Sequence, residues 1–216
     1  RVPGVPAAAP GVVPAAGLVM GAVAGTGGWL VRAPGTPPAG ALMLAVSVLC
    51  WLRTLALAGC RRVIVHGLVL QGALGRDDEP ENEYYGSNGI TITSRGGEGC
   101  VLSGNIAYGN THCGLKELGH GGARFVMVGN VCFSNGQTFH DHGIYLPSSS
   151  SRLIGNVCFE NSGWGIHAYG APQLNVIERN VCWDNRSGGI IVSGGENTVR
   201  FNTCVEPDRP FCLFRA

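Results

Sequence analysis

Five of the six histidines, His112, His120, His140, His142 and His167, fall within residues 112–167. Lys116, Glu117, Asp141 and Tyr145 share that stretch, and Tyr169 lies just beyond it. A lysine, a tyrosine and several histidines on one open face suit proton abstraction beside a carboxylate. A base removes the proton α to the carboxyl, and a cation stabilises the developing enolate. Tyr145 or His167 would be the base or the acid, Lys116 the cation, and Asp141 the group that orients a histidine; His142 is the further catalytic candidate. His112, Glu117, His120, His140 and Tyr169 would contact the substrate. The same residues also suit sugar binding with no chemistry. Hydrolysis by paired carboxylates fits poorly, because Glu117, Asp141, Glu160 and Asp184 form no obvious outward pair. The constellation names no metal ligand set.

What must position these residues is a repeat. Asparagines recur at 105, 130, 156, 180 and 202, in steps of 25, 26, 24 and 22 residues. They open segments such as Gly129-Asn130-Val131-Cys132-Phe133-Ser134-Asn135 and Gly155-Asn156-Val157-Cys158-Phe159-Glu160-Asn161. A second series runs in phase: Gly89-Ile90, Gly114-Leu115, Gly143-Ile144, Gly165-Ile166 and Gly189-Ile190. Two series in one phase mean stacked repeats. Each repeat holds short β-rich runs broken by Gly, Asn or Ser, and residues 61–216 carry no long helical period. The reading is an all-β, right-handed parallel β-helix of about six coils with strands about 4.8 Å apart. Asparagine at a turn takes the left-handed conformation readily, and stacked amides hydrogen-bond along a ladder.

Alternation then assigns faces. In Ile90-Thr91-Ile92-Thr93 and Ile166-His167-Ala168-Tyr169 the apolar residues point inward. The outward column reads Thr91, Lys116, Tyr145, His167, Ile191, with Tyr169 two residues from His167 on the same face. His112 and Asp141 each stand two residues before the Gly of their step. Glu117 falls inward, where an unpaired charge is costly. Either it meets a partner such as Lys116, His112 or His120, or the strand bulges and turns it to solvent.

The Gly-Asn-Val-x-Phe-x-Asn and Gly-Ile series over roughly residues 60–205 resemble the right-handed β-helix repeats of the pectate-lyase-like superfamily. Stretches such as Cys113-Gly114-Leu115-Lys116-Glu117 and Asp141-His142-Gly143-Ile144-Tyr145 look most like bacterial β-helix repeat proteins without a defined reaction. The resemblance implies the fold and leaves activity open, since the fold carries lyases, hydrolases and epimerases. Joined to proton abstraction, it leads to a polysaccharide lyase or uronate epimerase acting on an acidic polysaccharide or oligosaccharide. The alternative is a non-catalytic carbohydrate-binding or structural repeat protein. His140-Asp141 matches only the His-Asp pair of the Asp-Pro-His-Asp motif of mannuronan epimerases.

The net charge is +1, from 15 Lys and Arg against 14 Asp and Glu, which gives no electrostatic argument for nucleic acid. Residues 1–40 read as a low-complexity, poorly ordered arm and residues 41–60 as an apolar segment forming a first strand or cap, leaving 61–216 for the solenoid. Arg53 counts against a membrane span in that segment. Cys132, Cys158, Cys182 and Cys204 occupy one repeat position, so they read as small buried residues; the first three are expected reduced. The insertion from Gly72 to Asn88 holds five of the 14 acids. It would suit Ca²⁺, though its spacing matches no defined calcium loop, and no other cofactor is implied. A monomer, secreted or in the cell envelope, is expected.

Overall fold

The computed structural model describes residues 19–23, 28–32, 42–45, 51–52, 55–58, 61–73, 87–93, 98–118, 124–170, 172–206, 208, 210 and 212–215. Among the described residues three sheets run along a solenoid, with nine, seven and seven strands. The chain visits them in a fixed order, shown by Val126–Val128, Val131–Phe133 and Ile144–Tyr145 in one coil. The next coil repeats it with Arg152–Ile154, Val157–Phe159 and Trp164–Ala168. Each strand pairs in parallel with its counterpart one coil on: Met127 with Leu153, Cys132 with Cys158, Ile144 with Ile166. Among the described strands the one antiparallel pair is Val19–Val23 with Gly28–Arg32. Leu42–Ala45, Trp51–Leu52 and Leu55–Ala58 join one sheet each. No helix among the described residues is long and apolar enough to cross a membrane.

The corners explain the asparagines. At the corner between the third and second sheets, Gly104, Gly129, Gly155, Arg179 and Phe201 have φ between 57° and 62°. At the next corner Gly109, Ser134, Glu160 and Asp184 do the same, at 51° to 59°. The left-handed residue is therefore the one before each asparagine, not the asparagine expected to adopt it. That kink turns the following side chain inward. Asn105, Asn130, Asn156, Asn180 and Asn202 then form a ladder, each Nδ2 donating to the next Oδ1 at 2.9–3.0 Å. The backbone N–H of each of the first four also donates to the next Oδ1. A second ladder, Asn110, Asn135, Asn161 and Asn185, ends on the Glu206 carboxylate, which accepts the N–H and Nδ2 of Asn185. Apart from half-buried Asn202, these are buried amides that would cost about 1–3 kcal/mol each if left unpaired.

Glycine in the Gly-Ile series answers to crowding. A Cβ on Gly114 would lie 2.7 Å from the Gly143 carbonyl oxygen and 3.0 Å from Cys132 Sγ. On Gly143 it would lie 2.6 Å from the Gly165 oxygen and 3.1 Å from Cys158 Cβ. The glycine column thus packs against the cysteine column, and both must be small. Cys132, Cys158 and Cys182 are buried and free. The core runs down the coil axis through Leu57, Ile92, Met127, Leu153 and Ile177. Outside the second sheet, Tyr108, Phe133, Phe159 and Trp183 stack ring on ring with centroids 4.3–4.8 Å apart.

Candidate active site

Register brings the outward column together. Thr91, Lys116, Tyr145, His167 and Ile191 are partners in successive parallel strands. Its ends are not open to solvent, however: Thr91 is 0% exposed and Ile191 4%. Lys116, Tyr145 and His167 between them are half-buried. The expected solvent-facing stripe is a short, recessed group, because alternation fixes the direction of a side chain but not what lies over it.

The turn before Gly143 carries the acid. Asp141 Oδ2 accepts the backbone N–H groups of Gln137, at 3.0 Å, and Thr138, at 2.7 Å, and the Thr138 hydroxyl at 2.9 Å. Its Oδ1 lies 2.7 Å from His112 Nδ1 in the preceding coil. Burial alone would raise the Asp141 pKa, but His112 and the two backbone donors outweigh it and hold the carboxyl far below its ordinary range. The carboxylate is therefore an acceptor only, and His112 Nδ1 carries the proton. The histidine that Asp141 orients is His112, not its chain neighbours. Exposed His140 instead packs its ring against Phe139, 3.9 Å between centroids.

His142 turns the other way and is 2% exposed. Its Nδ1 accepts the backbone N–H of Trp164 at 3.0 Å, and its Nε2 meets His167 Nδ1 at 2.5 Å. Burial, then the nearby His167, holds its pKa down to about 2, so the ring is neutral. Gly163 makes room: a Cβ there would sit 2.3 Å from His142 Nδ1. The Tyr145 ring lies 5.7 Å from His142 and 5.3 Å from His167. Burial raises the Tyr145 pKa, which keeps the phenol protonated and unsuited to act as a base. Exposed Tyr169 tilts over His167 at 5.0 Å. Lys116 is near enough for its charge to act on both His142 and Cys113. Cys113 is no nucleophile, since burial pushes its thiol up to about 11.

Glu117 leaves the group. It is 0% exposed inside the coil, in register with Ile92, on the opposite side of its strand from Lys116. The Ser148 hydroxyl and N–H approach it and temper the effect of burial, yet neither Glu117 oxygen nor the Ser148 hydroxyl reaches hydrogen-bonding geometry. Its pKa rises to about 7. Glu117 thus points away from any substrate on the outer face, and its neighbour is neither Lys116 nor His112. His120 and the acids of the insertion, Asp77 to Glu83, lie outside the described residues. Among the described residues no group of three or more His, Cys, Asp or Glu could hold a metal ion. Trp164, whose amide anchors His142, and Gly163 are parts of the site that residue-type reasoning does not find.

A family model described as a right-handed β-helix region matches residues 62–204. No curated protein and no solved structure matches the chain.

Proposed function

The chain belongs to the right-handed β-helix family, and on that premise we propose that it is a carbohydrate-active protein, a polysaccharide lyase or uronate epimerase acting on an acidic glycan. The observation that supports this is the recessed run of Lys116, Tyr145 and His167 in adjacent strands, flanked by the hydrogen-bonded His112 and Asp141. Lys116 would meet the substrate carboxylate and stabilise the enolate that forms when the α proton leaves. The phenol of Tyr145, held protonated, would serve the leaving oxygen, and an imidazole would take the α proton. Tyr169 and Phe139, both exposed, offer apolar surface to a sugar ring. Such a substrate suits a secreted or cell-envelope protein, and Ca²⁺ bound by the acidic insertion could neutralise further carboxylates.

A non-catalytic carbohydrate-binding role is the second reading, favoured by the exposed pair of Phe139 and Tyr169. Incubation with a panel of uronate polymers separates the two. Absorbance of an unsaturated product, or proton exchange into the sugar with inversion, is the expected result. Binding with neither signal would leave the binding module, and no binding at all would remove both readings.

A further inference from the structure

We infer that two consecutive residues, Asp141 and His142, fix two histidines in opposite tautomers, so that His112 is the base of the site and His167, its Nδ1 engaged and its Nε2 protonated, is not. The roles rest on the reaction proposed above; the tautomers rest on geometry alone.

Asp141 can only accept, so the proton of His112 sits on Nδ1. In the neutral ring the lone pair is then on Nε2. His142 works in the opposite sense. Its Nδ1 accepts the Trp164 N–H, which forces its own proton onto Nε2. That Nε2–H points at His167 Nδ1, which must accept. The proton of His167 therefore sits on Nε2. A backbone amide thus sets the tautomer of a ring two hydrogen bonds away. With Nδ1 engaged and Nε2 protonated, His167 has no lone pair to offer a substrate proton, whereas His112 has one. This decides between candidates that residue types alone leave equal. It also makes His142 a positioning residue and not a catalytic one.

The proton count closes. His112 Nε2 takes the α proton, and the C–H electron pair moves into the enolate. The imidazolium so formed is neutralised by Asp141, 2.7 Å away. Lys116 hydrogen-bonds the enolate oxygens and keeps its proton. In elimination the bond to the leaving oxygen breaks and the Tyr145 hydroxyl supplies that oxygen's proton; solvent then carries the imidazolium proton of His112 to the phenolate, which restores both groups.

Long-range ¹H–¹⁵N NMR of the imidazoles reads each tautomer directly. In the wild-type protein His112 should carry Nδ1–H, and His142 and His167 Nε2–H. His142→Ala should let His167 populate both tautomers, and His142→Gln, which restores an N–H donor, should return it to Nε2–H. A wild-type His167 bearing Nδ1–H or two protons overturns the inference, as does an unchanged His167 in His142→Ala. Should the variants fail to fold, the wild-type spectrum decides alone. On a polymer that is turned over, His112→Asn should lose at least 100-fold in kcat/KM together with the acid limb of its pH profile, while His167→Asn keeps that limb. The reverse pattern overturns the assignment of the base. The expected tautomers without turnover of any uronate polymer would uphold the tautomer lock and discard the lyase reading.

Discussion

A carboxyl sealed inside a solenoid has a cost that depends on pH. Glu117 is packed in an apolar column with Ile92 and, among the described residues, is approached by Ser148, and its pKa rises to about 7. In the unfolded chain a glutamate ionises near its ordinary value of about 4.3. The folded state therefore holds this proton more tightly. The resulting stability is fully present below about pH 4.3 and is lost as pH rises through about 7, on the order of 3 kcal/mol in all. Melting curves between pH 4.5 and 8 should show Tm falling across that window by more in wild type than in Glu117→Gln. Glu117→Leu, matched to the column, should melt above wild type at pH 8. Parallel pH dependence in wild type and Glu117→Gln would mean that the carboxyl is solvated. The direction of Glu117 was legible from alternation after Leu115. Its lack of a bonded partner was not, because the residues opposite it come from the next coil's turn after Tyr145, where strict periodicity stops.

At the scale of the strand and its corner, the asparagine ladders carry polar groups that a stacked backbone cannot satisfy by strand pairing. Asn156 is completely buried; its Nδ2 serves Asn180 Oδ1 and the Met127 carbonyl, and its Oδ1 serves two donors of Asn130. Asn156→Ala removes these at once and orphans groups above and below. The expected loss is roughly 3–5 kcal/mol in urea unfolding. Asn202 bears the same relation to Asn180 and Ile177 but is only half-buried, so water replaces part of what is lost. Asn202→Ala should cost about 1–2 kcal/mol, and equal losses at the two sites would contradict the ladder account. The first ladder is legible because its period is that of the coil. The left-handed corner residues are less so: Arg179, Phe201, Glu160 and Asp184 adopt φ near 55° with no glycine to announce it, since the inward asparagine fixes the bend. The partnership of His112 with Asp141 was half legible. Both stand two residues before a glycine step, which stacks them, but the turn at Gln137 and Thr138 aims the carboxylate back a coil, and the repeat period does not announce it.

Over the whole solenoid, each coil touches only its neighbours, so local stability should follow how fully each coil is covered on both sides. Between Val126 and Val192 the inward residues Met127, Cys132, Ile144, Leu153, Cys158, Ile166, Ile177, Cys182 and Ile190 are 0% exposed. In the last described coil the equivalent positions, Val199, Cys204 and Cys212, are only partly buried. The contrast is sharpest at the polar ladders, where interior rungs donate to a rung above and accept from one below, while Asn197 and Asn202 accept from Asn175 and Asn180. Opening free energies in such an array are not uniform, and elements with half-covered apolar contacts open first. Native-state hydrogen exchange should accordingly show the slowest amides in Val131–Phe133 and Val157–Phe159, and faster exchange in Thr198–Arg200 and Thr203–Val205. Of the candidate site, Ile144–Tyr145 and Trp164–Ala168 lie within the fully covered block, which is what a tautomer lock needs: the Trp164 amide can hold His142 only while its coil stays closed. The Trp164 amide should therefore exchange with the slow group even though its side chain is half-buried. If it exchanged as fast as Thr203–Val205, the hydrogen bond to His142 would be too short-lived to fix the proton on His167.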